Sequence, residues 1–383
     1  MALLILTPLL GIGGTALVSF IKGFSFQAVI LNTFVSASVC IIAEIPLAGA
    51  EPDKNGAPYL MVSYISGLLL AFLSSFVYEC ILPIAAPSAV IALILGEGAG
   101  VSALILFASI STVLLYESGL YFFYIFLTGF ILIILFCSRK RYRVFPIILT
   151  YVSLGGILYI SCLFMSRAEL NPIMIISPFV GAFLNLLILM IVRPKVIENV
   201  LDRRELFIKS ILDPEYDLLM KLKNTDRDEY DRAIHSAHLS DILAERLGAN
   251  RRKTVSISYY SRIGVLRGDK ENIDIKSLAL IREREFPTFI SEGIKEYYSI
   301  NGKRQSKESS LVLIVNNLLS DIYSYFETHG GKSPDYQEIV INCMKRMIAD
   351  NRIKLSDLSL YDLGVISEVL KDKVIYYECI LRK

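Results

Sequence analysis

The sequence predicts an all-α protein in which a polytopic bundle of about eight transmembrane helices precedes a cytoplasmic, all-helical domain. Two observations lead to this prediction. Charged side chains are scarce through Arg193, where 15 occur, and common afterwards, where 61 occur. A charge near the centre of a bilayer costs about 2.5–3.5 kcal/mol, so such a depleted half suits lipid. The second observation is that apolar runs dominate the depleted half, and a spanning helix needs about 20 such residues.

Eight apolar segments follow one another in the first half, which we assign to residues 1–193. The segment 80–96 is the weakest, because it is short and contains Pro83 and Pro87. Neighbouring helices can satisfy the backbone groups that a proline leaves unpaired, so we keep it as a span. The eight predicted spans are 2–21, 27–49, 59–79, 80–96, 101–116, 119–137, 145–165 and 172–192.

Basic loops predict the orientation of the bundle. Cytoplasmic loops carry an excess of Lys and Arg. One basic cluster follows the sixth predicted span and a second follows the eighth, so both lie on the same side. Eight spans place the N-terminus and the C-terminal domain in the cytoplasm, and only Lys22 between the first two spans opposes this orientation. The clusters are Arg139, Lys140, Arg141 and Arg143, and then Arg193, Lys195, Arg203 and Arg204.

The remaining sequence predicts a connector helix over 194–224 and a helical domain over 225–383. Thr225 or Asp226 can cap the first domain helix, acidic residues fill its first turn, and Gly248 can end it. Further helices are predicted over 274–285, 287–299, 306–327, 335–350 and 359–377. The charges of this half balance in sign, which argues against a nucleic acid polymer as partner.

Several classes of site are not indicated. The six cysteines form no CxxC pair, and no phosphate-binding loop of the Walker type, nucleophile elbow or HExxH motif occurs. His235, His238 and Asp241 share one helix face, so a metal site built from them is one alternative. A transporter with a helical tail is another, motivated by Glu44 and Glu79 near span ends.

Short segments in a shared order resemble a known family. They are Ile81-Leu-Pro-Ile-Ala-Ala-Pro-Ser, Ile211-Leu-Asp-Pro-Glu-Tyr-Asp, His235-Ser236 with Gly248-Ala-Asn, Gln305-Ser-Lys-Glu308, and Asp357-Leu-Ser-Leu-Tyr-Asp-Leu363. Together with the membrane half, they are similar to the bacterial membrane-anchored, seven-transmembrane HD-domain phosphohydrolases, which include cyclic di-AMP phosphodiesterases. The resemblance implies a degenerate HD-like domain over 225–383. It also implies that the family's extracytoplasmic domain is missing between the first two spans.

The positions that bind metal in this family differ here. The resemblance places His235 at the first metal-ligand position, where we interpret it as vestigial. The signature His-Asp-Ile-Gly-Lys corresponds to Ser261-Arg262-Ile263-Gly264-Val265. Tyr297 and Tyr298 stand where the family has two histidines, and Asn316 stands at a later aspartate. An active site of this type uses two metal ions to activate water, so one remaining ligand predicts neither a cofactor nor catalysis.

We therefore predict a non-catalytic signalling or regulatory protein of the cell membrane, related to cyclic dinucleotide phosphodiesterases. Its predicted partners are the lipid bilayer and an active HD-family relative or another membrane protein. The alternative enzymatic hypothesis is a metal-dependent phosphodiesterase with a rearranged site. Arg262 is expected to pair inside the domain with an acid such as Asp231 or Asp241, or else to point to solvent.

Overall fold

The protein is described by a computed structural model. It describes residues 2–48, 56–77, 82–115, 119–137, 144–166, 172–268, 271–298, 304–329, 335–350 and 356–381. The predicted all-α class is confirmed: these residues are mostly helical, and their only β pairing is an isolated bridge between Gln305 and Ser356. The chain divides into two compact units, Met1–Glu205 and Leu206–Lys383.

Each of the eight predicted apolar segments contains a helix. Among the described residues, three helical stretches are long and apolar enough to cross a membrane, namely Phe26–Ala43, Glu97–Leu115 and Ile175–Ile211. Glu79 and the basic loop Arg139–Arg143 lie outside the described residues, as does the side chain of Glu44. The helices are α1 (Ala2–Ile21), α2 (Phe26–Ala48), α3 (Ala57–Leu73), α4 (Ala85–Leu95), α5 (Glu97–Leu115), α6 (Gly119–Cys137), α7 (Val144–Ser166) and α8 (Pro172–Val196).

The fourth segment contains a shorter helix than its predicted bounds of 80–96 imply. Its helix, α4, has 11 residues and a length of about 16 Å, about half of the hydrocarbon thickness of a bilayer. Nine of these residues are buried, so other helices cover α4 on nearly every side. A turn at Gly96 then leads directly into α5. A Cβ atom on Gly100 would lie 2.8 Å from the Cα of Ala92, so glycine is required where the two helices touch.

Large apolar side chains cover much of the outside of the first unit, while several polar side chains are buried inside it. Phe20, Phe26 and Phe34 are largely exposed, whereas Thr15 and Ser111 are buried. Several of the buried polar groups find partners within the bundle. The Ser111 hydroxyl lies 2.6 Å from that of Ser74, and Thr15 donates to the Gly11 carbonyl. Exposed apolar side chains of this kind are favourable in the hydrocarbon core of a bilayer and unfavourable in water.

Contacts at the helix ends define two ends of the bundle. At one end, the Lys22 ammonium group after α1 donates to the Leu114 carbonyl near the end of α5. At the other end, the Arg193 guanidinium of α8 lies over the ring of Phe136 near the end of α6. Asn199 donates to the hydroxyl of Tyr59 near the start of α3. The ends of α6 and α8 and the start of α3 therefore lie together.

The connector is not the single helix predicted over 194–224. The chain continues from α8 through a π-helical segment, Ile197–Asp202, into α9 (Arg203–Ile211). It turns before α10 (Asp217–Thr225), whose Leu218, Leu219 and Leu222 are buried in the second unit. The chain breaks here because α10 is amphipathic. A helix with one apolar face is stabilised when other helices cover that face.

In the described part of the second unit, eight further helices follow α10. Asp226 caps α11 by accepting from the Glu229 amide, and Gly248 follows it with a φ of +63°, as the sequence predicts. A 3₁₀ segment, Ile263–Arg267, follows α12. The helices are α11 (Arg227–Arg246), α12 (Arg251–Tyr260), α13 (Ile273–Glu283), α14 (Thr288–Tyr297), α15 (Lys307–Thr328), α16 (Tyr336–Ala349), α17 (Leu360–Lys371) and α18 (Val374–Leu381).

Candidate functional site

A cleft of about 360 Å³ lies between four helices of the second unit. Four of the positions singled out by the family resemblance line it together: Arg262, Tyr297, Tyr298 and Asn316. These residues come from the end of α12, the end of α14 and the middle of α15, so folding joins segments far apart in sequence. The further lining residues are Glu229, Arg232, Ala233, Ser258, Leu313, Asn317, Leu319 and Ser320.

Arg262 makes a two-pronged ion pair with Glu229 at this cleft. Its Nε lies 2.7 Å from Glu229 Oε2 and its Nη2 lies 2.9 Å from Oε1. The Glu229 side chain is only 5% exposed, whereas that of Arg262 is 35% exposed. Burial lowers the pKa of Arg262, but the hydrogen bonds and charge of Glu229 outweigh it and raise the pKa overall. The guanidinium is therefore permanently charged.

The internal pairing of Arg262 is as expected, but both partners that the sequence suggested are wrong. Glu229, rather than Asp231 or Asp241, faces Arg262 because it lies on the α11 face that also carries Ala233 and the buried Ser236. Asp231 lies 3.9 Å from Arg227, and Asp241 pairs with Arg251 at 2.6 Å.

Tyr297 and Tyr298 contribute hydrogen bonds and aromatic surface. The Asn316 amide donates to the Tyr297 hydroxyl at 3.0 Å, and the Tyr298 hydroxyl donates to the Ser261 carbonyl at 2.8 Å. The two rings meet edge to face at 4.9 Å. Burial raises the pKa of both tyrosines, so their hydroxyls stay protonated. A protonated phenol is a hydrogen-bond donor and a poor metal ligand.

Ser261 and Val265 are buried and do not line the cleft. The Ser261 hydroxyl is buried with no hydrogen-bond partner among the described residues. Its carbonyl also accepts from the Ser277 hydroxyl, which in turn accepts from the Gly264 amide. Val265 is buried in the apolar core formed by α10, α12, α13 and α14. These two positions thus hold the 3₁₀ segment in place.

His235 is on a different side of α11 and does not line the cleft. Its Nδ1 lies 2.9 Å from the Tyr376 hydroxyl of α18, and the His238 ring lies 4.7 Å from the Tyr376 ring. Burial, and then the nearby His238, lowers the pKa of His235. Asp241 is engaged by Arg251. The vestigial metal-ligand role of His235 stays a prediction.

The residues at the cleft do not fit a pair of bound metal ions. Within the described ranges, no group of three or more His, Cys, Asp or Glu side chains is arranged to hold a metal. The buried carboxylate of Glu229 is already neutralised by Arg262. A fixed guanidinium also repels a divalent cation at short range. The cleft offers hydrogen-bond donors and one carboxylate, that of Glu229, which is paired with Arg262.

Sequence reasoning missed two charged residues of the cleft, Glu229 and Arg232. The helix dipole stabilises any acidic residue in the first turn of a helix. The presence of Glu229 there therefore did not indicate that it faces the cleft. Arg232 lies 5.3 Å from the Tyr323 ring, a contact across two helices. The spacing of Glu229, Arg232 and Ser236 along one α-helical face is the only local signal that could have joined them.

Removal of divalent metal is expected to leave folding of this unit unchanged. Its interior is held by apolar packing and by the Arg262–Glu229 pair, and no described ligand group depends on an ion. The full-length protein in detergent should therefore show the same thermal unfolding midpoint before and after treatment with a strong chelator. A fall of many degrees would contradict this expectation.

Comparisons with known proteins give a limited likeness. No family model matches the chain, and no curated protein sequence matches it either. The structure is similar to the HD domain of the L. monocytogenes phosphodiesterase PgpH, with 15% identity and a TM-score of 0.36, over 42% of this chain and 100% of that one. The structure of the same domain in complex with cyclic-di-AMP matches with 15% identity and a TM-score of 0.36. This match covers 43% of this chain and 99% of that one. At this identity and score, the likeness assigns neither activity nor ligand to this chain.

Proposed function

We propose that this protein is a multi-pass membrane protein with a non-catalytic, HD-like cytoplasmic domain that serves signalling or regulation. The observation that carries the proposal is the ion pair between Arg262 and Glu229 at the cleft. At the position where an HD enzyme would hold a cation through aspartate, this chain carries its own cation. The proposal relates it to cyclic dinucleotide phosphodiesterases by descent and not by activity.

The polarity and end contacts of the first unit support the membrane location. Three helical stretches are long and apolar enough to cross a bilayer, and apolar side chains cover the outside of the bundle. Arg193 near Phe136 places the end of α8 beside the end of α6, next to which the basic loop begins. This agrees with the proposal that both basic clusters face the cytoplasm together with the N-terminus and the second unit.

We propose an active HD-family relative or another membrane protein as the partner, besides the lipid bilayer. A protein that keeps a cleft without its metal ligands can still compete for a shared partner or assemble with a catalytic copy. The balanced charges of the second half give no electrostatic support to a nucleic acid polymer.

The proposal is tested by assaying the full-length protein for metal-dependent cleavage of cyclic di-AMP. We expect no cleavage above buffer with Mn²⁺, while an active HD phosphodiesterase handled in parallel cleaves the substrate. The double variant Ser261→His with Arg262→Asp should also be inactive, because Tyr297, Tyr298 and Asn316 still occupy the cleft. Cleavage by the wild type that is lost in His235→Ala would support the rearranged enzyme instead. Cleavage by the double variant would show that the remaining residues suffice.

The regulatory role needs a second measurement. An active HD phosphodiesterase is reconstituted in vesicles with and without this protein, and its rate is compared. We expect the rate to change with the amount of this protein added. An unchanged rate across a range of ratios would count against assembly with that enzyme.

A further inference from the structure

A small polar cavity lies inside the first unit, where α4 begins. Its volume is about 30 Å³, which corresponds to room for about two water molecules. The start of α4 meets α6, α7 and α8 here, and four polar side chains line the space: Tyr124, Thr128, Tyr151 and Asn185. Asn185 lies near the middle of α8. The cavity is therefore remote from both ends of the bundle.

Asn185 fixes the start of α4 at this cavity. Its Oδ1 accepts from the Ala86 amide at 2.7 Å, and its Nδ2 donates to the Gly181 carbonyl at 2.9 Å. These two partners define the orientation of the side-chain amide, because one is a donor and the other an acceptor. The second Nδ2 proton has no partner among the described residues, so it is available to a molecule in the cavity.

Tyr151 is the second, independent observation. Its side chain is 2% exposed and lines the cavity, yet its hydroxyl has no hydrogen-bond partner within the described ranges. A buried hydroxyl without a partner costs about 1–3 kcal/mol, so such groups are normally satisfied by protein or by a bound molecule. The hydroxyl of Thr128 is different, because it already donates to the carbonyls of Tyr124 and Ile125.

The charges and dipoles around the cavity indicate which charge a bound ligand should carry. None of the described lining residues is acidic or basic. The N-terminus of α4 contributes a partial positive charge, and helices that begin inside a membrane bundle commonly direct this end at anions. Tyr151 and Asn185 add hydrogen-bond donors. We propose that this cavity binds a small monovalent anion of the size of chloride, held by the Tyr151 hydroxyl and the Asn185 amide beside the positive end of α4.

The proposal is tested on the full-length protein in detergent with chloride as the probe. Thermal unfolding is measured while chloride replaces gluconate at constant ionic strength, and binding of radioactive chloride is measured by equilibrium dialysis. We expect a saturable rise of the unfolding midpoint and saturable binding in the wild type. Tyr151→Phe keeps the ring but removes the donor, and should raise the apparent Kd by about tenfold or more.

Tyr64→Phe is the matched control, since Tyr64 is equally buried in the first unit but lies outside the cavity. Its chloride dependence should equal that of the wild type. Absence of saturable chloride binding in the wild type would overturn the proposal and leave a cavity that holds water only. Equal binding by the wild type and Tyr151→Phe would overturn it too, because the anion would then bind elsewhere. The result does not depend on the proposed function of the cleft.

Discussion

Arg262→Ala is expected to lower the free energy of unfolding of the second unit by about 2–4 kcal/mol. The change leaves the Glu229 carboxylate buried without its cation, and breaking a fully buried pair typically costs about 3–5 kcal/mol. The expected value is lower because the Arg262 side chain is partly exposed, so water already weakens the pair. Hydrogen exchange of peptides from α11 and α12 in the full-length protein measures the loss directly.

The loss should depend on pH in a defined direction. Without Arg262, the buried Glu229 carboxylate loses the guanidinium that compensates its charge, and protonation of the carboxyl removes that charge. The deficit of the variant should therefore be largest near neutral pH and shrink as the pH falls. Arg251→Ala is the matched control, because it removes an arginine from an exposed ion pair with Asp241. Equal exchange in Arg262→Ala and the wild type would show that the pair contributes nothing.

Gly264→Ala is expected to destabilise the second unit by about 3 kcal/mol or more. A Cβ atom at this position would lie 2.5 Å from the Ile273 carbonyl oxygen and 2.8 Å from the Ser277 amide nitrogen. Both atoms belong to the backbone of α13, so the clash cannot be relieved by a side-chain rotation. Movement of the 3₁₀ segment would also break the bond from the Gly264 amide to Ser277. Thermal unfolding of the full-length protein measures the effect.

Gly364→Ala provides the control for Gly264→Ala. Gly364 is exposed within α17, and nothing lies within 4 Å of the position that its Cβ would take. The substitution should therefore stabilise the helix by about 0.5–1 kcal/mol, because alanine loses less conformational entropy. Destabilisation by both variants to a similar extent would contradict the close approach of the 3₁₀ segment to α13.

The helical content could be predicted from the sequence because each long apolar run carries its own signal. The length of α4 could not, because α4 is fixed by Asn185, which lies 99 positions after Ala86. The break before α10 was also missed. A continuous polar sequence looks helical locally, and the turn depends on apolar contacts of Leu218, Leu219 and Leu222 elsewhere in the unit.

The residues of the cleft were likewise predictable only in part, because some of its contacts join residues that are distant in sequence. The family resemblance named Arg262, Tyr297, Tyr298 and Asn316, and the structure brings these four together. It did not name Glu229, whose pairing with Arg262 joins residues 33 positions apart. An acidic residue in a first helical turn looks the same from sequence whether it faces solvent or a buried guanidinium.

If the membrane location proposed above holds, the short, enclosed helix α4 has a consequence for biogenesis. A segment of 11 residues is too short to partition into lipid alone as the chain leaves the ribosome. Its stable environment consists of α3, α5, α6 and α8, three of which are synthesised later. The hydrogen bond to Asn185 can form only after α8 has been inserted. In a chain inserted as proposed, this segment therefore reaches its final position late in assembly, and a nascent chain that ends before α8 lacks the side chain that fixes the start of α4.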